Sequence, residues 1–325
     1  MVFIARAIAP MLPVWVVSTI TKRIRASESV IWSIMRGQFI KNIAVSSSYD
    51  TATARDILHD MHPSLNIAIR AARSAGRILL RFSDRVDQIK FESKSHNDFV
   101  SDVDRAAEAA IIQELRGRFP SHAILAEESG EQGSGDFQWI IDPLDGTTNY
   151  LHGFPQYSVS IALKHKGQLE CGVVYDPLRE EMFTAARGQG AQLNDRKIRV
   201  TNRPSLEGAL IGTGFPFRDQ RYIDAYVGMF KAMTEATAGL RRPGSAALDL
   251  AYVAAGRTDG FWELGLSPWD CAAGALLVQE AGGTVTDLSG GTRYLETGNL
   301  AAGNLKVHRA ILDLITPFMN DKLKA

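Results

Sequence analysis

Trp139-Ile140-Ile141-Asp142-Pro143-Leu144-Asp145-Gly146-Thr147-Thr148-Asn149 is the stretch on which the reading of this chain turns. The apolar, aromatic and β-branched run Phe137–Ile141 predicts a buried strand. It should run into Asp142, which Pro143 biases toward an extended backbone, and Asp145 should lie just beyond, in the turn. Gly146 permits a tight turn and close backbone approach to a ligand. Thr147 and Thr148 can open a short helix whose free N–H groups face an anion. Two carboxylates this close repel and raise each other's pKa. A bound Mg²⁺ ion resolves the repulsion, because it favours hard oxygen ligands. A plain Asp-Gly turn with capping threonines explains the glycine but not two acids after an apolar strand.

Outward from this stretch, helices and strands alternate. Leu65, Ile69, Ala72, Ile78, Leu79 and Phe82 recur at helical spacing, with Ser64 as the expected N-cap. A second helix is expected over 101–117 and a short strand over Ala123–Ala126. Strand-like stretches follow at 157–165, 169–175, 181–186 and 190–200, broken by Gly167, Asp176-Pro177, Gly188 and Asn194-Asp195. Strands are also expected at Leu210–Thr213, Asp259–Glu263, Val285–Asp287 and 299–303. Helices are expected at 219–237, 245–256, 271–281 and 307–319, with Gly282-Gly283 as a stop. The pattern is mixed α/β with layered sheets and helices.

More acids sit at element ends. Glu127 and Glu128 follow Ala126, so one of them can project from a strand end. Glu263 stands in a short apolar strand, and Asp270 at a helix start between Trp269 and small residues; simple capping accounts for an Asp there as well. Asp98, Asp102 and Asp104 are expected to open a helix, where the dipole explains part of their presence. Other signals are weak. Gly188-x-Gly190 sits in a hairpin pattern, and no phosphate-loop or serine-nucleophile motif occurs. Arg241-Arg242 fits a solvated turn, an interface or a ligand loop equally well. The pair His59 and His62 is read as accidental.

Composition narrows the class. In 325 residues, 45% are apolar and 22% charged, which fits a folded globular protein and not a disordered or multispanning one. Lys plus Arg and Asp plus Glu each number 36, so no basic excess marks a generic nucleic-acid binder. Two cysteines, Cys171 and Cys271, form no metal or disulfide framework, and a reducing compartment is expected. Residues 1–60 hold 7 basic and 4 acidic residues, which leaves 29 and 32, a net charge of −3, for 61–325. Residues 7–20 are apolar, but too short to span a bilayer and interrupted by Pro10 and Pro13. No membrane association is expected for 61–325. Residues 44–54 read as a linker and Met61 precedes a complete helix start, so 1–60 is read as an extension outside the fold and 61–325 as the folded domain.

Ala126-Glu-Glu-Ser-Gly130, Trp139–Tyr150, Gly244–Gly256 and Trp269–Gly274, taken in order, resemble the inositol monophosphatase family over essentially 61–325. The start Met61-His-Pro-Ser-Leu is similar to bacterial members, among them one that also acts in ribosomal-RNA antitermination. The resemblance implies a layered αβαβα sandwich, two or three Mg²⁺ ions, lithium sensitivity, a homodimer and a cytoplasmic enzyme. It implies that Glu127, Asp142, the Leu144 carbonyl, Asp145 and Asp270 hold metal, with Asp104 helping a third ion through water. Gly146 and Thr147 match phosphate contacts, and Thr147 also matches a group that orients the attacking water. Gly244, Ser245, Ala246 and Glu263 match the segment around the sugar hydroxyls, beside Asp145 and Asp270. Lys94 matches a mobile-loop lysine, although fewer residues separate it from Asp98 than in animal relatives. The implied reaction is hydrolysis of a small phosphorylated polyol, foremost inositol 1-phosphate. A sugar bisphosphate, a nucleotide 3′-phosphate or histidinol phosphate are the other substrates, and contact with RNA polymerase or its elongation factors is the other role.

Overall fold

In the computed structural model, residues 63–85, 91–95, 98–216, 220–320 and Leu323 are described. The expectations for 1–60 and for the Lys94 side chain fall outside them. Helix α1 spans Pro63–Ser83. Pro63 starts it, since a proline's fixed φ suits the first turn and its missing N–H is not needed there; Ser64 is therefore inside the helix and not its cap. The buried stripe is Leu65, Ala68, Ala72, Ala75 and Leu79, whereas Phe82 stands exposed. A hairpin of β1 (Phe91–Ser95) and β2 (Asp98–Ser101) follows. It removes Asp98 from the helix expected there. Helix α2 begins at Asp102 and runs to Arg118, capped by Ser101.

The large sheet grows from the Trp139 stretch. Strand β5 (Phe137–Asp145) lies parallel to β3 (Ala123–Ala126) and antiparallel to β6 (Ser158–His165). It is longer than the apolar run predicts, because it continues through Pro143 to Asp145. The register with β6 shifts between Asp142 and Asp145, so Pro143 sits where no ladder N–H is required. Strands β4 (Gly130–Gln132), β7 (Gln168–Asp176), β8 (Glu181–Ala186), β9 (Gly190–Leu193) and β10 (Arg196–Lys197) complete eight strands in the order β10-β9-β8-β7-β6-β5-β3-β4. Beyond Lys197 the expected 190–200 strand leaves the sheet.

The second half builds a five-stranded sheet. Its strands are β11 (Leu210–Thr213), β12 (Gly239–Arg241), β13 (Gly260–Glu263), β14 (Thr284–Thr286) and β15 (Leu300–Gly303), in the order β12-β11-β13-β15-β14. Period-2 alternation assigns each strand to two cores. Trp139 and Ile141 pack with α1 and α2 on the outer face, and Ile140 packs on the opposite face. Phe261 joins that same inner core, while Trp262 faces a third core with Ile211, Met229 and Ile311.

Helices α5 (Ala246–Ala254) and α6 (Pro268–Glu280) fill the inner layer between the two sheets. Helix α4 (Ile223–Ala236) and, after the short α7 (Tyr294–Thr297), helix α8 (Leu305–Ile315) cover the outer face of the small sheet. The result is five layers, αβαβα. Small residues allow the inner layer to close: a Cβ on Gly274 of α6 would stand 2.5 Å from the Leu250 Cβ of α5. No described helix is long and apolar enough to cross a membrane.

Candidate active site

Three acids converge where the two halves of the chain meet. Asp142 and Asp145 lie at the end of β5, and Asp270 lies in the first turn of α6. One carboxylate oxygen from each falls within 4.8 Å of the others, and all three residues are buried. Local structure aims each group. Asp142 Oδ1 accepts the Leu144 N–H at 2.9 Å. Asp145 Oδ2 accepts from the Ser245 hydroxyl at 2.6 Å and the Ala247 N–H at 2.8 Å, which joins the end of β5 to the start of α5. Asp270 is not itself the cap of α6. Ser267 is, and Asp270 reaches back to the Ser267 N–H at 2.7 Å, because Pro268 moves the helix start upstream of the expected residue 271.

Such crowding has an electrostatic consequence. Burial and the charges of Glu127, Asp145 and Asp270 push the Asp142 carboxyl well above its ordinary range. Burial and Asp270 push Asp145 up to about 7, against the lowering pull of its bonds to Ser245 and Ala247. Oxygen donors alone, buried and mutually repelling, are complementary to a hard divalent cation. The donor set therefore fits Mg²⁺.

Around the trio, Gly146 turns the chain with φ +97°, and a Cβ there would stand 2.9 Å from the Gln156 carbonyl oxygen, so glycine is required on both counts. Helix α3 (Thr147–Leu151) follows at once. The Thr147 hydroxyl lies 3.0 Å from the Leu144 carbonyl oxygen and 3.2 Å from Asp104 Oδ1. Asp104 Oδ2 accepts from Ser101 in the capping box of α2, so this acid serves the helix start and Thr147 together. Burial raises its pKa, opposed by the Ser101 bonds.

Glu127 lines the same cavity, at the end of β3. Its turn is held by a residue that the sequence reading passed over. Glu108, buried in α2, accepts the N–H groups of Glu128 and Ser129 at 2.9 and 3.0 Å. Its signal was a Glu one helical turn after Asp104 on the apolar face.

The cavity measures about 380 Å³ and reaches from Glu127 to Glu263, passing Gly146, Gly244 and Ala246. Asn149 Nδ2 donates to the Pro243 carbonyl at 2.8 Å and so ties the 243–246 segment to α3. Glu263 ends β13, and any side chain on Gly214 would overlap its carboxylate. The structure thus gathers Glu127, Asp142, Leu144, Asp145, Gly146, Thr147, Gly244, Ser245, Ala246, Glu263 and Asp270 around one cavity. Asp104 joins them through Thr147. Asp249 in α5 also lines it and was not foreseen, although an acid inside Ala246-Ala-Leu-Asp-Leu-Ala251 was the available signal.

The model of the inositol monophosphatase family matches residues 60–319. The chain belongs to that family. Within it, the chain is 57% identical over 270 residues to a Pseudomonas aeruginosa protein named Nus factor SuhB, covering 81% of this chain and all of that one. The Escherichia coli K12 protein of the same name is 52% identical over 266 residues, again covering 81% and all of the relative. Among solved family structures, the Bartonella henselae extragenic suppressor protein suhB superposes with a TM-score of 0.76 at 44% identity, over 78% of this chain and 98% of that one. The Thermotoga maritima IMPase gives 0.73 at 37% identity, over 79% and 98%. The five-layer fold is therefore that of the family.

Raised carboxyl pKa values predict the sign of a pH effect. An acid whose folded pKa exceeds its unfolded value binds protons that the unfolded chain releases. Asp145 alone then makes the metal-free fold less stable as pH rises from 3.8 toward about 7. Mg²⁺ needs the deprotonated carboxylates and should cancel that loss. Melting curves in chelator and in excess Mg²⁺ should show a larger Mg²⁺-dependent rise in Tm near pH 8 than near pH 5. An equal rise at both pH values would contradict the site.

Proposed function

We propose that this chain is a Mg²⁺-dependent phosphomonoesterase that converts an inositol monophosphate and water to inositol and phosphate. The observation that best supports this is the buried trio Asp142, Asp145 and Asp270, its oxygens within 4.8 Å, beside a cavity of about 380 Å³. In this reading Glu127, Asp142, the Leu144 carbonyl, Asp145 and Asp270 hold two ions, and Asp104 helps a third through water. Bound Mg²⁺ supplies positive charge for the phosphoryl oxygens and acidifies water.

The remaining work falls to the chain itself. Gly146 lets the backbone approach the phosphate, and its N–H and that of Thr147 face the phosphoryl oxygens. Asp104 accepts the hydrogen bond of the Thr147 hydroxyl, which leaves the lone pairs of the Thr147 oxygen as acceptors for the attacking water. Glu127 accepts from the same water and turns its lone pair toward phosphorus, in line with the leaving oxygen. Ser245 holds Asp145 in place, while the 244–246 backbone and the Glu263 carboxylate hold the alcohol. The leaving alkoxide takes a proton from a second water, and the hydroxide so formed is neutralised by the proton that the attacking water gives up by way of Glu127. The same reading carries Li⁺ sensitivity, a homodimer and a cytoplasmic location.

Asp145→Asn keeps the acceptor oxygen for Ser245 and removes one charge from the trio. It should fold normally and lower the rate of inositol 1-phosphate hydrolysis at saturating Mg²⁺ by at least about 10²-fold. Near-normal turnover would remove Asp145 from the mechanism. Running a sugar bisphosphate, a nucleotide 3′-phosphate and histidinol phosphate beside inositol 1-phosphate identifies the substrate by the highest kcat/KM.

The names of the bacterial relatives support a second reading, a role as a transcription antitermination factor in contact with RNA polymerase or its elongation factors. Capture of RNA polymerase by wild type and Asp145→Asn alike would establish it as separate from catalysis.

Residues 1–60 are proposed to stand outside the catalytic unit, since family similarity begins at residue 60. A chain beginning at Met61 should fold, dimerise and hydrolyse substrate like the full chain. A much lower Tm or loss of solubility would place part of 1–60 within the fold.

A further inference from the structure

Among the described residues, buried acids have partners, with one exception in the cavity. Glu108 accepts two backbone N–H groups. Asp176 accepts those of Leu178 and Arg179. Asp259 accepts from the Thr201 hydroxyl and the Leu210 N–H. Asp287 accepts from the N–H groups of Ser289 and Gly291. Asp249 is 3% exposed and lines the cavity, yet its carboxyl has no hydrogen-bond or ion-pair partner among the described residues. A buried carboxyl without a partner is costly in either protonation state, and its helix neighbours Leu248 and Leu250 are fully buried core residues that supply none. What remains within reach is the cavity.

Position decides what the group can read. Asp249 packs against Gly212 of β11, where a Cβ would stand 3.8 Å from the Asp249 Cγ. The charges that act on it are those of Glu263, Asp145 and Arg242. It therefore lies within electrostatic reach of Glu263 and Asp145, in the wall of the cavity that all three line. The Asp249 and Glu263 carboxyls present oxygens there to any group that carries hydroxyls.

We propose that Asp249 is a specificity-determining residue whose carboxyl hydrogen-bonds a hydroxyl of the leaving alcohol other than the one facing Glu263. The site thereby selects monophosphate esters of polyols with at least two free hydroxyls over esters that offer one or none. This rests on the reading of the cavity as a phosphomonoesterase site.

The test uses the full chain in Mg²⁺, with Asp249→Ala and the nearly isosteric Asp249→Asn. The ratio of kcat/KM for inositol 1-phosphate to that for 4-nitrophenyl phosphate should fall at least about tenfold in Asp249→Ala. It should fall less in Asp249→Asn, which keeps an acceptor oxygen. Calorimetric binding of inositol 1-phosphate to wild type and both Asp249 variants, measured with Ca²⁺ in place of Mg²⁺ to suppress turnover, should weaken in the same order. Equal losses on both esters, or an unchanged ratio, overturn the proposal and leave the phosphatase reading standing. If wild type hydrolyses neither ester but binding still weakens tenfold without Asp249, the phosphatase reading falls and the Asp249 contact stands. If wild type neither hydrolyses nor binds inositol 1-phosphate, both are overturned.

Discussion

Mutual repulsion among Asp142, Asp145 and Asp270 is the constraint around which this fold is arranged. Three buried carboxyls with oxygens inside 4.8 Å would separate or protonate if their backbones were free to move. They are held by elements with little freedom. Asp142 and Asp145 sit at the end of the interior strand β5 and are both paired with β6. Asp270 sits in the capped first turn of a helix packed between two sheets. A cation-complementary centre thus stores electrostatic strain in a scaffold whose hydrophobic layers can hold it.

The same carboxylates couple the halves of the chain. Asp145 accepts from Ser245 and Ala247, a hundred residues on, and so fixes the N-terminal end of α5 against β5. Asn149 holds the preceding loop through the Pro243 carbonyl. Ser160 of β6 donates to the Trp269 carbonyl at 3.0 Å and fixes the start of α6. Residues from the small sheet, Glu263 above all, are thereby brought to the same cavity as the end of β5 in the large sheet. Two cysteines lie within this packing as buried free thiols, Cys171 raised to about 12 by burial, and they serve as small core residues.

Much of this was legible in local sequence. The run from Trp139 to Ile141 is apolar on both faces because β5 is covered by helices on both, and the alternation of Ile140 against Trp139 and Ile141 follows from the pleat. The ordered carboxylate motifs carry the resemblance to the family, and their acids Glu127, Asp142, Asp145, Asp249 and Asp270, though not Glu128, line one cavity. What stayed hidden depended on distant partners. Pro143 argues locally against a continuing strand, and only the register shift against β6 admits it. Ser64 resembles a cap until Pro63 is placed at the helix start. Glu108 reads as one more surface acid in an Ala-rich helix, because its partners are backbone groups twenty residues away. Asp249 reads as an interruption of an apolar helix, because the cavity it faces is built from both halves of the chain.

The central claim is that Asp142, Asp145 and Asp270 together form a divalent-cation centre. Crystals of the full chain grown with Mn²⁺ in place of Mg²⁺, and measured at the manganese absorption edge, test it most directly. The account predicts an anomalous peak within about 2.5 Å of carboxylate oxygens from all three residues, and its loss in Asp145→Asn at the same Mn²⁺ concentration. A structure with Mn²⁺ bound elsewhere, or with the three carboxyls in direct hydrogen bonds to one another at neutral pH and saturating Mn²⁺, would contradict it.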